Sequence, residues 1–578
     1  MLDLLIKGGS VIDGTGGAAR TADVGVRDGL IVAIGSIDEA ATETLDATGL
    51  VVAPGFVDPH THYDAQLFWD PHATPSNLHG VTSVIMGNCG FTLAPLNGEG
   101  DADYLRNMMA KVEGMPLEAL ESGVPWNWST FAEYLDRLEG NIGVNVGSLV
   151  GHCALRRTVM GEDAVGHEAS ADQIAEMVRL LRESIEAGGL GFSTTQSYTH
   201  SDGGGQPVPS RWCSREELLT LCETVKDFEG TTLEWVTDGC MSGFSDDEVE
   251  LMGDMSLAGQ RPLNWNVLTI DSARPADYES QLAAMDQVAR RGARAVALTM
   301  PVLVGMNMNF GNYCALFQLP DWMDVMGLPI PERMEKLRDP EVRIFLEQRA
   351  AAPEAGVFSR LTGWANYVVG DTYSAANEGL KGQRVGEIAR ARGVRDFYAL
   401  LDIVLEDDLR TVLWPGPTDD DPSSWQLRKQ AWEHPHVMIG GSDAGAHLDR
   451  MAGAPYTTQW LDDVLRGRKL TTLERAIQHL TDVPARLFGL RGRGQVREGW
   501  HADLVVFDPE TVSSGEVELV SDLPGGSGRL YADANGIKAV FVNGVATVRD
   551  GRATEALPGT LLRAGTHTET VPIPAATT

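Results

Sequence analysis

Cysteine is scarce in this sequence, basic charge is outnumbered, and long apolar runs are missing. Cys89, Cys153, Cys213, Cys222, Cys240 and Cys314 are the six cysteines of 578 residues, and their irregular spacing does not suggest a disulfide framework. No stretch approaches the 18 or more consecutive apolar residues of a membrane span. The start, MLDLLIKGGSVIDGTGG, has no basic segment followed by a long apolar core, so it does not read as a secretory signal, and the expected location is the cytoplasm. Against 81 acidic residues stand 46 basic ones, a net charge of −35 that repels a phosphate backbone; nucleic acid and membrane are not the expected partners. The acid surplus reads as a well-solvated surface, and it also suits a salt-adapted host. What remains, 43% hydrophobic and 22% charged, is the balance of a globular enzyme with a large core. The length allows a barrel of about 250 residues with insertions and a satellite domain.

Residues 1–54 hold short alternating segments punctuated by glycine, LLIKGGSVID, ADVGVRDGLIVAIG and ETLDATGLVVAPG, which read as small antiparallel strands. The same texture returns in GQVREGWHADLVVFDPETV and GIKAVFVNGVATVRDG, so a composite β-sandwich from 1–54 and 485–578 is expected. Between them, over 55–484, short apolar runs alternate with helical patterns, the mark of an α/β fold with a parallel sheet. Eight candidate strands, at 51–58, 81–88, 145–152, 189–195, 231–237, 262–269, 294–300 and 437–444, suggest a closed (β/α)8 TIM-like barrel. The last two are separated by a Trp-, Pro- and Asp-rich insertion at about 301–436, too long for one connecting helix and placed where loops build specificity.

In GFVDPHTHYD, His60 and His62 follow the first strand with one residue between them. An extended chain points both imidazoles to one side, and neutral imidazole suits zinc and its neighbours. GGSDAGAH places Asp443 at the end of the eighth strand, which a closed barrel sets beside the first. A carboxylate there can ligate a metal and take a proton from its water; it can equally cap the following helix. Cys89, in GNCG after the second strand, is a ligand if deprotonated and a small buried hydrophobe otherwise.

The strings PGFVDPHTHYD, GVTSVIMGNCGF, NVGSLVGHCALRRTVMG, GFSTT and GGSDAGAH, in this order, resemble the N-acyl-D-amino-acid deacylase (D-aminoacylase) branch of the amidohydrolase superfamily, and the similarity runs through almost the whole chain. The resemblance implies a (β/α)8 barrel beside a small β-sandwich, and zinc-dependent hydrolysis of the amide of N-acylated D-amino acids. It implies a metal site made by the HxH pair, a cysteine after strand two, histidines on strands five and six, and the final aspartate. His60, His62, Cys89 and Asp443 match. Strand five reads TTLEWVTDG and strand six PLNWNVLT, with Glu234 and Asn266 near the places of the two histidines. Glutamate is a fair oxygen ligand for zinc, whereas asparagine is better suited to holding water or substrate. The expectation is therefore one or two divalent ions, zinc foremost, held by His60, His62 and Asp443 with Cys89 or Glu234. GLGFSTT has no lysine for the carbamylated bridge of hydantoinases and dihydroorotases, which disfavours that subclass.

His152 and Arg156 match a GHxxxR string of the family. Facing the mouth, His152 would polarise the carbonyl and Arg156 would pair a substrate carboxylate; both also suit structural roles. His447 would be a second proton carrier if a helix begins at Asp443. The family's substrate arginine after the last strand is not evident in AHLDRMAGAPYTTQW; Arg450 is the nearest candidate, and otherwise the contact has moved to Arg156 or been lost. The tryptophans at 126, 128, 212, 322, 364, 414, 425 and 432 serve a substrate wall or core packing. The expected reaction is cleavage of a C–N amide bond in a small molecule by metal-activated water, with Asp443 shuttling the proton. Hydrolysis of another amide, cyclic amide or lactone is the first alternative, and a metal-poor ligand-binding homologue the second. A homo-oligomer is compatible with such a barrel.

Overall fold

The computed structural model describes residues 1–312 and 314–573. Two compact units emerge: one holds 1–270, 274–302 and 426–578, the other 271–273 and 303–425. No helix among the described residues is long and apolar enough to cross a membrane.

The core of the first unit is parallel sheet. Its strands are β1 (Phe56–Asp58), β2 (Val81–Met86), β3 (Asn145–Ser148 continuing as Val150–Gly151), β4 (Gly191–Thr195), β5 (Thr232–Val236), β6 (Leu263–Trp265), β7 (Ala295–Thr299) and β8 (Val437–Ile439). The first half of β3 pairs with β2, which pairs with β1; its second half pairs with β4, and the ladder runs on to β8. Just past the strand ends, a parallel bridge joins Thr61 to Ala444. The strands are buried along almost their whole length, as both-face covering by helices demands. Val57, Ile85, Leu149, Leu190, Leu298 and Met438 share one apolar cluster. The helices between strands start at caps legible in the sequence: Ser170 with Gln173 and Ser245 with Glu248 form capping boxes, and Ser214 accepts from the Glu217 backbone.

A separate mixed sheet of nine strands joins the two ends of the chain. Val51–Pro54 pairs antiparallel with Leu504–Phe507, and Leu4, Val24, Val52, Val506 and Phe541 lie in one apolar cluster. The pairing is not antiparallel throughout. Leu2–Val11 runs parallel to Ala41–Asp46 and to Val51–Pro54, because the Arg20–Gly35 hairpin carries the chain back before these strands are laid down. Leu561–Leu562 leaves this sheet altogether and adds in parallel to the first half of β3.

The second unit has its own core. Trp322 stacks on Trp364 at 5.8 Å, and Trp364 meets Phe397 at 4.9 Å, among Phe310, Leu400 and Ile403. For these two tryptophans the packing role is the one realised.

Candidate metal centre

The extended segment after β1 is held on both sides. Thr61 donates its backbone N–H to Ile85 O at 2.9 Å, and His62 donates to Ala444 O at 2.7 Å. His60 and His62 therefore project together, with ring centroids 5.3 Å apart. Asp443 donates its backbone N–H to His60 O at 3.1 Å, so its carboxylate is set against the same pair without a loop's freedom. Oδ1 lies 3.1 Å from His62 Nε2 and 3.6 Å from His60 Nε2, while Oδ2 lies 3.8 Å from His447 Nε2. Asp443, His447 and Cys89 all have left-handed backbone, with φ of 57°, 50° and 56°. Such strain in non-glycine residues persists where the surroundings over-determine it, and it gathers at functional sites. Gly445 shows the crowding: with φ at 92°, any Cβ there would run into the His62 carbonyl.

Two groups of side chains bring ligand atoms close enough for an ion: His60, His62 and Cys89, and His62, Glu113 and Asp443. Both ring nitrogens of His62 and Nδ1 of His60 are buried without a hydrogen bond. Of these, His62 Nε2 faces the Asp443 and Glu113 carboxylates; a buried nitrogen left open beside carboxylates is what a divalent cation satisfies, so the residues present fit a metal. Burial would raise the Asp443 carboxyl, but His60, His62 and His447 outweigh it and hold it well below the ordinary carboxylate range. Burial pulls His60 down, yet Asp443, Glu234 and Asp58 leave it above its usual value; for His62 burial prevails and the ring is lowered. Burial also pushes the Cys89 thiol well up.

Cys89 Sγ lies 3.6 Å from His60 Nε2. Glu234 borders the same site through Cys89, but its oxygens are engaged: Oε2 accepts from the Cys89 backbone at 2.9 Å and Oε1 from Asn266 Nδ2. Burial drives its carboxyl up to about 8. Glu234 and Asn266 thus bond to each other where the family pattern has two histidines, and Asn266 faces Glu234 in preference to an open mouth.

His152 and Arg156 lie elsewhere. Both are fully buried; His152 Nε2 donates to Glu217 Oε1 at 2.8 Å, and Arg156 Nη1 donates to both oxygens of Glu217, at 2.6 Å for Oε1. Arg156 Nη2 goes to the His167 carbonyl at 2.7 Å. The expected contacts with a scissile carbonyl and a substrate carboxylate find no open surface here, because a buried glutamate has claimed both donors. No helix begins at Asp443: the next one is Tyr456–Leu465, and His447 reaches Asp443 from a turn instead. Arg450 is partly exposed on that turn, with Nε 2.8 Å from Asp449 Oδ1.

Two site residues escape a sequence reading. His200, on the loop after β4, is lowered to about 3 by burial with His62 and His447 nearby, and its Nδ1 is 2.8 Å from Thr195 Oγ1. Glu113 follows the helix Glu99–Val112 and puts Oε2 3.6 Å from His62 Nε2. Its one sequence signal is an acid at a helix C-terminus, where the macrodipole disfavours negative charge.

Histidines and a carboxylate gathered beyond the C-terminal ends of parallel strands define a metal-dependent hydrolase, with its site at the face where such folds hold their chemistry. The chain belongs to the amidohydrolase family, whose model matches residues 43–554, and within it to the D-aminoacylase branch. It is 31% identical over 607 residues to an uncharacterized protein of Mycobacterium tuberculosis strain H37Rv, covering 97% of this chain and 96% of the relative. It is 30% identical over 570 residues to the N-acyl-D-glutamate deacylase of Alcaligenes xylosoxydans xylosoxydans, covering 97% and 96%. The crystal structure of a D-aminoacylase superposes with a TM-score of 0.62 at 26% identity, over 97% of this chain and 100% of that one. Family membership makes the chain a hydrolase of C–N bonds.

Proposed function

We propose that the chain hydrolyses the amide bond of an N-acyl-D-amino acid, with Asp443 as general base, at the mouth of a closed (β/α)8 barrel composed by β1 to β8. Strands from within 1–54 and 485–578 then form the satellite β-domain, apart from Leu561–Leu562, which adds to β3, and 301–436 is an insertion between β7 and β8. The branch membership supports the substrate class. The observation that carries the mechanism is the division of the Asp443 carboxylate, Oδ1 toward His60 and His62 and Oδ2 toward His447.

Bound by His60, His62 and Asp443, a divalent ion, zinc foremost, supplies Lewis acidity toward the scissile carbonyl and lowers the pKa of water. Asp443, ionised at neutral pH, takes the proton of the attacking water at Oδ2 and delivers it to the leaving amine nitrogen. Its backbone bond to His60 keeps that oxygen in place, which proton transfer requires. His447, lowered by burial, is neutral, and its Nε2 lies 3.8 Å from Oδ2, where it orients the carboxylate that carries the proton. Arg450 offers the substrate carboxylate a guanidinium, in exchange for Asp449. A panel of N-acetyl amino acids, read by release of free amine, tests the assignment. Turnover of D-substrates well above their L-enantiomers is expected; turnover confined to cyclic amides or lactones would contradict it.

A further inference from the structure

The family-like metal position lacks two histidines, and of the Glu234–Asn266 pair that stands in their place the glutamate already accepts from Asn266 and from the Cys89 backbone. We propose that Glu113 supplies a metal ligand in their stead, and that with His62 and Asp443 it forms a three-ligand position displaced toward the Asp443 turn, in which it takes the place given above to His60, whose Nε2 lies 3.6 Å from Cys89 Sγ. The inference rests on the metal-dependent reading above and adds a ligand that the sequence motifs do not contain.

The spacing is that of a coordination shell. With metal–nitrogen and metal–oxygen bonds of roughly 2.1 Å, neighbouring ligands of a tetrahedral ion lie about 3.4 Å apart. His62 Nε2 is 3.1 Å from Asp443 Oδ1 and 3.6 Å from Glu113 Oε2. Three protein ligands with a fourth position left to water or substrate is the pattern of catalytic zinc.

Glu113 is also placed to receive a cation. Its side chain is 4% exposed, and among the described residues its carboxylate lies 3.6 Å from the His62 ring. It sits at the unfavourable end of a helix besides. A carboxylate buried in such surroundings is costly unless a positive charge joins it. The backbone brings it there: the Glu113 carbonyl accepts from the His447 backbone, and Gly114, with φ at 57°, packs so closely that a Cβ would lie 3.1 Å from His447 Nδ1. The turn carrying Asp443 and the helix end carrying Glu113 are therefore fastened together. Two carboxylates and one imidazole make a harder site than the His60, His62 and Cys89 group, so manganese as well as zinc should be held.

Zinc affinity of the full-length protein, measured by chelator competition, tests this on the wild type, Glu113→Gln and Glu113→His. Glu113→Gln keeps size and burial but is a poor ligand, and should weaken zinc by at least about 100-fold, the upper range for losing even an outer-shell partner. Glu113→His restores a ligand and should recover at least a tenfold share of that loss. Zinc binding within tenfold of wild type in a folded Glu113→Gln protein overturns the proposal. If that variant does not fold, the zinc anomalous signal in crystals of the wild type decides. A peak within about 2.2 Å of Glu113 supports the assignment, and a peak bonded to Cys89 and His60 out of reach of Glu113 overturns it. A wild type that binds no metal defeats the metal-dependent reading itself, whereas metal held without Glu113 defeats this inference alone.

Discussion

Asp443→Asn removes the base while keeping the shape of the site. The amide retains one oxygen, and that oxygen can still face His60 and His62, from which Oδ1 stands 3.6 Å and 3.1 Å. What disappears is the negative charge and the proton-accepting Oδ2 beside His447. Losing a general base costs roughly 10²–10⁴-fold in rate, or about 3–5 kcal/mol of transition-state stabilisation at 1.36 kcal/mol per tenfold. The backbone bond from residue 443 to His60 is unaffected, so the fold should survive. The assay is steady-state hydrolysis of an N-acyl-D-amino acid alongside metal analysis of the same sample. The expected outcome is partly retained metal with kcat down by at least about 100-fold. Full metal with near wild-type kcat would refute the role of Asp443 and move the base to His447.

Replacing His60 and His62 together by alanine should abolish bound metal and activity and leave the circular dichroism spectrum largely intact; unchanged metal content would contradict the site. Arg450→Ala should depress turnover of substrates bearing a free carboxylate much more than of their amides, an equal loss on both arguing against an anchor. Arg156→Ala is expected instead to destabilise by about 3–5 kcal/mol, since it leaves Glu217 buried with the His152 ring but without its permanent cation; denaturant midpoints check this. The buried His79 ring, bonded to Thr458 and Ala532, is lowered by burial from 6.5 to about 4. The unfolded chain takes up that proton first, so its contribution is complete above about pH 6.5 and drains away as pH falls toward 4. A plot of melting temperature against pH should be flatter over this interval in His79→Asn, and an equally steep plot contradicts the assignment.

Strand periodicity made much of the architecture readable. His60 and His62 are paired by the two-residue repeat of an extended chain, and Asp443 by its place at the end of the last parallel strand. The terminal segments declared themselves as one β-unit, although the parallel run of Leu2–Val11 beside Ala41–Asp46 was not legible, because alternation reports faces and not directions. Partners distant in sequence were the main loss. His152 and Arg156 read as candidates for the mouth because the buried Glu217, 65 and 61 residues further on, carries no mark of its destination. Glu113 is equally silent: a glutamate at the end of an amphipathic helix resembles any solvated acid until the fold brings it to His62. In the insertion, tryptophan abundance favours a substrate with an apolar part, whereas Trp322 and Trp364 pack into the unit's own core, because abundance alone does not separate a substrate wall from core packing.

The most direct test of the account is metal removal and return. Protein dialysed against a strong chelator should lose both its metal and its hydrolysis of N-acyl-D-amino acids, keep its fold, and regain turnover in proportion to the divalent metal restored. Undiminished hydrolysis by protein shown to be free of metal would contradict it.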